Sequence, residues 1–289
     1  MVWKLQNIVS GSMIRRKDRG IWGILGPEVS FYFPNLYGMK DTIEQQLRDI
    51  EKEHHVEILY ACESGSRAWG FASPDSDYDV RFIYVQPAHR YLSIREGRDF
   101  IELPVNQLLD INGWDIKKAL QLFLKSNGPL YEWLQSPIVY KEEGGFAREL
   151  SSLMPSYFSR RAGCHHYLSM ARNAFENELQ GERVKLKKYF YALRPALACR
   201  WIIERQAVPP MEFAILRTGV EGKDWQAAVD DLLARKQEAD EKALTDAVPV
   251  LQDWLEQTLD HYKKKGDEIP ALKNDTEELD RLFRKYIGS

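Results

Sequence analysis

Cysteine is scarce in this chain: Cys62, Cys164 and Cys199 are the only three in 289 residues. They are odd in number, far apart, and form neither a C-x-x-C pair nor a zinc-type spacing. That excludes a disulfide framework and a cysteine-built metal finger, and it leaves buried free thiols in a reducing cytoplasm as the expectation. Long apolar runs are also missing. None approaches the roughly 20 residues that a membrane span requires, so no membrane partner is expected. Charge of one sign is absent as well: 40 Lys and Arg face 43 Asp and Glu, a formal net charge of −3. No global basic footprint for nucleic acid exists and no DNA duplex is expected as partner, although local basic stripes stay open. Histidine is sparse, and the pairs His54-His55 and His165-His166 lack spaced partners on a common face, so they read as surface histidines. Nor is there a Ser-His or Cys-His pairing of the kind that covalent catalysis needs.

What is there is length enough for two modest domains. Residues 1–38 are rich in Gly, Pro and aromatics, show no sustained period, and carry a small basic cluster, Arg15-Arg16-Lys17. They read as a poorly ordered upstream extension or a mis-assigned start, without the order of a secretory signal. From Met39 to about residue 145 the pattern alternates. It predicts a helix over 41–54, a strand over 56–61, a short helix from Ser66, a strand over 77–85 and one or two strands over 100–110 interrupted by Pro104. A helix over 115–126 and another turn of helix over 130–135 follow. This is a small mixed sheet with helices on one side, an α+β catalytic domain. From residue 146 to 289 the pattern is helical, with predicted helices that include 157–179, 183–205, 238–263 and 277–287.

The most informative run is Gly65-Ser66-Arg67-Ala68-Trp69-Gly70-Phe71-Ala72-Ser73-Pro74-Asp75-Ser76-Asp77-Tyr78-Asp79. It reads as strand, Gly-Ser turn, short helix, Pro turn, strand. Strand side chains alternate faces, so Asp77 and Asp79 point one way and Tyr78, Val80 and Phe82 the other. Two adjacent carboxylates repel unless a cation sits with them. A Gly-Ser turn entering a helix offers backbone N–H groups to phosphate. A phosphate cradle beside a carboxylate pair is the minimum equipment for metal-assisted phosphoryl or nucleotidyl transfer. Arg81 falls on the same strand face as Asp77 and Asp79, either to neutralise a phosphate or as a structural ion pair. Arg67, just after the turn, either reaches a phosphate or is a solvated surface arginine.

GSRAWGFASPDSDYDV resembles the signature of the DNA polymerase beta-type nucleotidyltransferase superfamily. More closely, the chain is similar to the YcgL-like, RNA-ligase-associated nucleotidyltransferases (RlaP). The similarity continues through DINGWDIKKALQLFLKSNGPLYEWLQSPIVY, Asp110 to Tyr140, and KLKKYFYALRPALACRW, Lys185 to Trp201, so it spans about Met39 to the end of the chain. The resemblance implies that Gly65 and Ser66 hold the triphosphate of an NTP and that Asp77 and Asp79 bind Mg2+ or Mn2+. It implies a third carboxylate on a neighbouring strand, serving as metal ligand and general base. Asp110, which ends the apolar Leu108-Leu109, fits a strand and is the residue favoured here. Asp115 has an ordinary helix-capping explanation, and Glu102 is a further candidate.

In the helical half, Lys185 to Arg194 sets Lys185, Lys187, Lys188 and Arg194 among Tyr189, Phe190 and Tyr191. Lys188, Tyr191 and Arg194 share a helix face by spacing, just before a kink expected at Pro195. Such a basic-aromatic face suits a triphosphate or a nucleic-acid end, or is an amphipathic helix with its lysines in water. Lys187 and Lys188 are not separable by pattern. Arg161-Ala-Gly-Cys-His-His166 superficially resembles the Arg-x4-His ribonuclease motif of HEPN domains.

The expectation is therefore a cytoplasmic, metal-dependent nucleotidyltransferase moving a nucleoside monophosphate from an NTP to an acceptor hydroxyl. An RNA end in RNA repair is the acceptor the resemblance implies. Two rivals stand beside it. One is a nucleotide-binding regulatory or toxin–antitoxin-type module without turnover. The other is a HEPN-like ribonuclease, which requires Arg161 and His166 to converge in a groove. Acceptor, base preference and oligomeric state are not legible in the sequence.

Overall fold

The computed structural model describes residues 36–95, 97–105 and 108–288, with side chains from residue 38. The Arg15-Arg16-Lys17 cluster and the expected disorder upstream lie outside the described residues. Helix α1, Leu36–His54, starts before the predicted boundary. It buries Ile43, Leu47 and Ile50, spaced for one helix face, against the sheet. Five strands make that sheet: β1 (Glu57–Glu63), β2 (Tyr78–Val85), β3 (Phe100–Glu102), β4 (Leu109–Asp115) and β5 (Val139–Glu142). Their order is β3-β4-β2-β1-β5. β2 and β4 run parallel, and the other pairs are antiparallel. Pro104 falls between β3 and β4, as expected of a residue that cannot donate to a ladder.

Four short helices interrupt the strands: α2 (Gly65–Trp69) links β1 to β2, α3 (Ala88–Tyr91) follows β2, and α4 (Ile116–Leu124) with α5 (Gly128–Trp133) follows β4. Beyond β5 come α6 (Phe146–Tyr157), α7 (Arg160–Glu178), α8 (Leu186–Arg205), α9 (Phe213–Leu216), α10 (Lys223–Glu238), α11 (Pro249–Glu268) and α12 (Glu277–Ile287). A two-stranded ribbon, β6 (Arg183–Lys185) with β7 (Leu244–Asp246), joins the loops before α8 and α11.

That ribbon corrects two expected helices. The helix expected over 183–205 begins only at Leu186, because Val184 is buried in strand pairing opposite Thr245. The helix expected over 238–263 is replaced at its start by the loop after α10 and by β7. It restarts at Pro249, whose fixed φ and missing N–H suit a first helical turn.

The sheet lies between two apolar layers. Val80, Phe82 and Tyr84 pack on the α1 side. Cys62, Ile83 and Val85 pack on the side of the helices, in one core that continues through Phe190 and Leu193 of α8 to Leu279 and Tyr286 of α12. Sheet and helices thus share a core without a break near residue 145. All three cysteines are buried and free, and Cys164 and Cys199 face each other with sulfurs 3.0 Å apart across α7 and α8. Among the described residues no helix is long and apolar enough to cross a membrane.

Candidate active site

The carboxylates gather where β2 and β4 begin. Parallel register sets Asp79 directly opposite Asp110, so the two side chains share the face turned toward the helices. Arg81, one face-repeat along β2, closes the pair. Its Nη2 donates to Asp79 Oδ1 at 3.0 Å and to Asp110 Oδ2 at 2.8 Å, while Nη1 donates to the Asp110 carbonyl at 3.0 Å. Of the two sequence readings, the structure places Arg81 in the ion pair. Asp77 stands one residue before β2 and its side chain is exposed. Burial raises the Asp79 carboxyl pKa above the usual range; Arg81 pulls it back down, and Asp110 and Asp77 push it up again.

The Gly65 turn lies against this pair. Gly65 has φ of +61°, and a Cβ built there would come within 2.0 Å of Asp79 Oδ2. Only glycine provides both the backbone conformation and the room. Ser64 N–H donates to the Asp79 carbonyl at 2.8 Å, which fixes the turn to the strand. The Ser66 hydroxyl is half-buried and makes no hydrogen bond to a described residue. Gly65→Ala is expected to displace the Asp79 carboxylate by about an ångström and cost about a hundredfold in turnover. Its melting point should fall only by the amount expected for strain of about 1–2 kcal/mol. Calorimetry with nucleotide-transfer assays would check this, and an alanine variant with full activity would sink it.

Sequence reasoning missed the parts that hold the motif from below and beside. Glu63, fully buried at the end of β1, accepts the Asp79 N–H at 2.7 Å and the Tyr140 hydroxyl. Burial raises its pKa, and those two donors counter the rise. Glu241, in the loop between α10 and β7, accepts from Ser73 and Ser76 at 3.0 and 2.9 Å and from Lys236 at 3.2 Å. Its second oxygen takes Lys187 at 2.7 Å. Burial works against that charge, but Lys187, Ser76 and Lys236 outweigh it and bring the Glu241 pKa to about 2. No spacing signal could reveal a residue 165 positions from its partner. Because the folded pKa is depressed, this stabilisation is present above the ordinary carboxylate range and is lost as pH falls toward 2. The urea midpoint should therefore drop more steeply between pH 4.5 and 2 than that of Glu241→Gln. Parallel curves would refute the assignment.

The remaining predicted residues divide. Arg67 turns back on the loop, donating to the carbonyls of Asp77 at 3.1 Å and Ser76 at 2.6 Å over the Tyr78 ring. The guanidinium is thereby committed to the loop rather than to water. Arg194 turns inward. It is 3 % exposed, with Nη1 on Glu132 at 3.0 Å and Nε and Nη2 on the Met211 carbonyl, because α8 is the innermost helix of the core. Lys188 pairs with Glu178 at 2.8 Å. Lys187 is the lysine that faces the motif: burial opposes its charge, but Glu241, Tyr191 and Asp77 hold its pKa above the usual value. Tyr191, raised by burial, feels Lys187, Glu241, Asp79 and Asp77 in turn.

Of the rival third carboxylates, Asp115 does not reach the site. Asp115 is the N-cap of α4, buried and accepting from Lys117 N–H, Gln86 and Tyr91. It lies five residues along β4 from Asp110, about 16 Å at strand rise. Glu102 is exposed on the edge strand opposite Asn112. The groove a HEPN-like site needs does not form either. Arg161 is exposed, while His166 turns its Nε2 inward, buried and without a partner, against Gly128.

Residues 39–285 match the RNA repair pathway DNA polymerase beta family, RlaP. The chain belongs to this family. The YcgL protein of Bacillus subtilis (strain 168) is 46% identical over 251 residues, covering 86% of this chain and 96% of that one. A crystal structure of a nucleotidyltransferase-like protein from Exiguobacterium sibiricum 255-15 aligns with 78% of this chain and 75% of its own, at 14% identity and a TM-score of 0.25. The RlaP match begins at Met39, the residue where the amphipathic pattern of α1 becomes readable in the sequence.

The donor set fits a hard divalent cation. Among the described residues no three acidic, His or Cys side chains converge as a ready-made cage. Magnesium, however, is ordinarily held by one or two carboxylates together with substrate phosphates and water. Asp79 and Asp110 are such a pair, and the oxygen of Asp79 not bound by Arg81 points at the Gly65 turn.

Proposed function

We propose that this RlaP member is a metal-dependent nucleotidyltransferase that moves a nucleoside monophosphate from an NTP to an acceptor hydroxyl, with an RNA 3′ end as the acceptor. The reading rests on one observation above the others: Asp79 and Asp110 face each other in strand register, with the Gly65 backbone pressed against Asp79. Asp77, Asp79 and Asp110 would hold Mg2+ or Mn2+, which when bound polarises phosphate and hydroxyl oxygens and offsets charge on the leaving pyrophosphate. Gly65 and Ser66 seat the triphosphate, with Lys187 the nearest flexible cation. Tyr191 and Trp69, edge to face at 6.2 Å, line an apolar pocket of about 320 Å³ with Lys188, in which the nucleobase is placed. The acceptor oxygen attacks the α-phosphorus, the bond to pyrophosphate breaks, and the hydroxyl proton passes to Asp110 Oδ1, the oxygen Arg81 leaves open.

Transfer of label from each α-labelled NTP, with magnesium or manganese, onto total cellular RNA and protein tests this. Label entering RNA supports the reading, and label entering only protein reassigns the acceptor. The module without turnover has one observation in its favour: the Arg81 guanidinium bridges Asp79 and Asp110 and offsets one of their two charges with no cation besides. Nucleotide binding without transfer from any NTP would establish that alternative.

A further inference from the structure

Among the described residues the cations beside the carboxylates are engaged. Arg81, Lys187, Lys188, Lys236 and Arg194 are each paired with an acid, and Arg67 donates to carbonyls. A group of cations without such partners stands at the other end of the sheet, where β2 passes into α3 and β4 passes into α4. A cleft of about 630 Å³ lies there, lined by His89, Arg90, Arg95, Arg98, Lys117 and Lys118. Two carboxylates line it as well, and neither cancels that charge. Asp99 is taken by Lys118 at 3.0 Å, and Asp115 faces inward to its three donors. Arg90, Arg95, Arg98 and Lys117 are exposed and have no acidic partner among the described residues. Arg98 stacks on Phe100, its guanidinium 4.2 Å from the ring centre. A second cavity of about 160 Å³ shares Gln86, Arg90 and Arg98 and extends the cleft toward the β3 edge.

Four cations with no acidic partner among the described residues, in one concave strip within a chain of net charge −3, are a concentration that costs self-repulsion unless an anion relieves it. A cleft this open and elongated suits a chain of phosphates better than a single one. Seven residues of β2 separate Asp79 from Gln86, about 23 Å at strand rise. The cleft is therefore too far away to hold the triphosphate of an NTP bound at Gly65.

We propose that this cleft is a second site, binding the sugar-phosphate backbone of single-stranded RNA several nucleotides from the reacting end. The inference rests on RNA being the acceptor. Arginine forks engage phosphate oxygens, and the exposed Arg98 guanidinium, held on the half-buried Phe100 ring, offers a flat face for a base.

Anisotropy of a 5′-labelled 20-nucleotide RNA on the full chain, in EDTA and without NTP, tests it across 50–200 mM KCl. The Arg90→Ala/Arg95→Ala/Lys117→Ala protein changes only exposed, unpaired side chains and should keep its circular dichroism. Each lost phosphate contact on a single strand removes about 0.7 from the salt slope, so the slope should fall by about 2 and affinity at 50 mM by about tenfold or more. Arg90→Lys/Arg95→Lys/Lys117→Arg should keep the slope. An unchanged slope in the alanine protein overturns the inference. So does displacement of RNA by inorganic tripolyphosphate at equal phosphate concentration, or loss of binding to phosphatidylserine vesicles with RNA binding intact. Transfer of label with an unchanged slope removes this site and leaves the proposed reaction. An altered slope without transfer does the reverse.

Discussion

Asp79→Asn is expected to lose about three orders of magnitude in nucleotide transfer while melting no lower than wild type at pH 7. The activity arm follows from charge: removing one of two facing carboxylates at a metal-assisted centre takes away several kcal/mol of transition-state stabilisation, and each 1.36 kcal/mol is tenfold. The stability arm follows from burial. The folded Asp79 pKa lies above its ordinary value, so its ionised form is less favourable in the folded chain than in the unfolded one. That cost is present above the folded pKa and disappears as pH falls through it, and asparagine relieves it at neutral pH. Asp110→Asn should show the same loss of transfer. Asp115→Ala should leave transfer within a fewfold and lower stability instead, because it removes the α4 cap and the acceptor for Gln86 and Tyr91. Transfer by Asp110→Asn within tenfold of wild type would remove Asp110 as the third carboxylate.

Arg194→Leu carries the largest expected stability effect, about 3–5 kcal/mol. Its guanidinium supplies one hydrogen bond to Glu132 and two to the Met211 carbonyl, and it lies 4.4 Å from the centre of the Trp69 ring. Glu132 also accepts from Tyr167 at 2.7 Å and from Trp69 at 3.2 Å. Leucine would leave a buried carboxylate without its cation and a buried carbonyl without donors. For a chain of this size the melting temperature should fall by roughly 6–15 °C. Arg194→Leu/Glu132→Leu should recover part of that loss, since the unpaired charge is gone. If Arg194 were instead a solvated phosphate ligand, Arg194→Leu would melt within 2 °C of wild type and lose only nucleotide affinity. Scanning calorimetry with and without NTP separates the two.

Most of the sheet was legible because its strands are short apolar runs bounded by turn residues. The interruption at Pro104 and the break between the helices expected over 115–126 and 130–135 were visible for the same reason. Asp110 was separable from Asp115 by strand position against helix capping, and the structure gives Asp115 that capping role. The basic-aromatic stretch of α8 was misleading. Spacing of three puts Lys188 and Arg194 on one face, but it says nothing about which face the rest of the chain covers. Arg194 is buried by Trp69 and Glu132 from distant segments, while Lys187 turns toward the motif because Glu241 attracts it. Glu63 lies beyond the strand expected over 56–61, and only the fold shows that it ends β1 and is fully buried. The β6–β7 ribbon was hidden inside helix-compatible sequence because strand propensity depends on a partner, here about 60 residues away.

The Glu241 clasp also sets a schedule for biosynthesis. A ribosome adds about 5–20 residues per second, so Ser73 and Ser76 leave the tunnel roughly ten to thirty seconds ahead of the carboxylate that secures them, 165 positions later. Throughout that interval the nascent chain carries the whole Gly-Ser and Asp-x-Asp run with its loop unfastened. Competence therefore arrives late and all at once, when the segment after α10 docks. A polypeptide released early at residue 145 would hold the Gly-Ser and Asp-x-Asp run with its Glu63 and Arg67 contacts but without the Glu241 clasp.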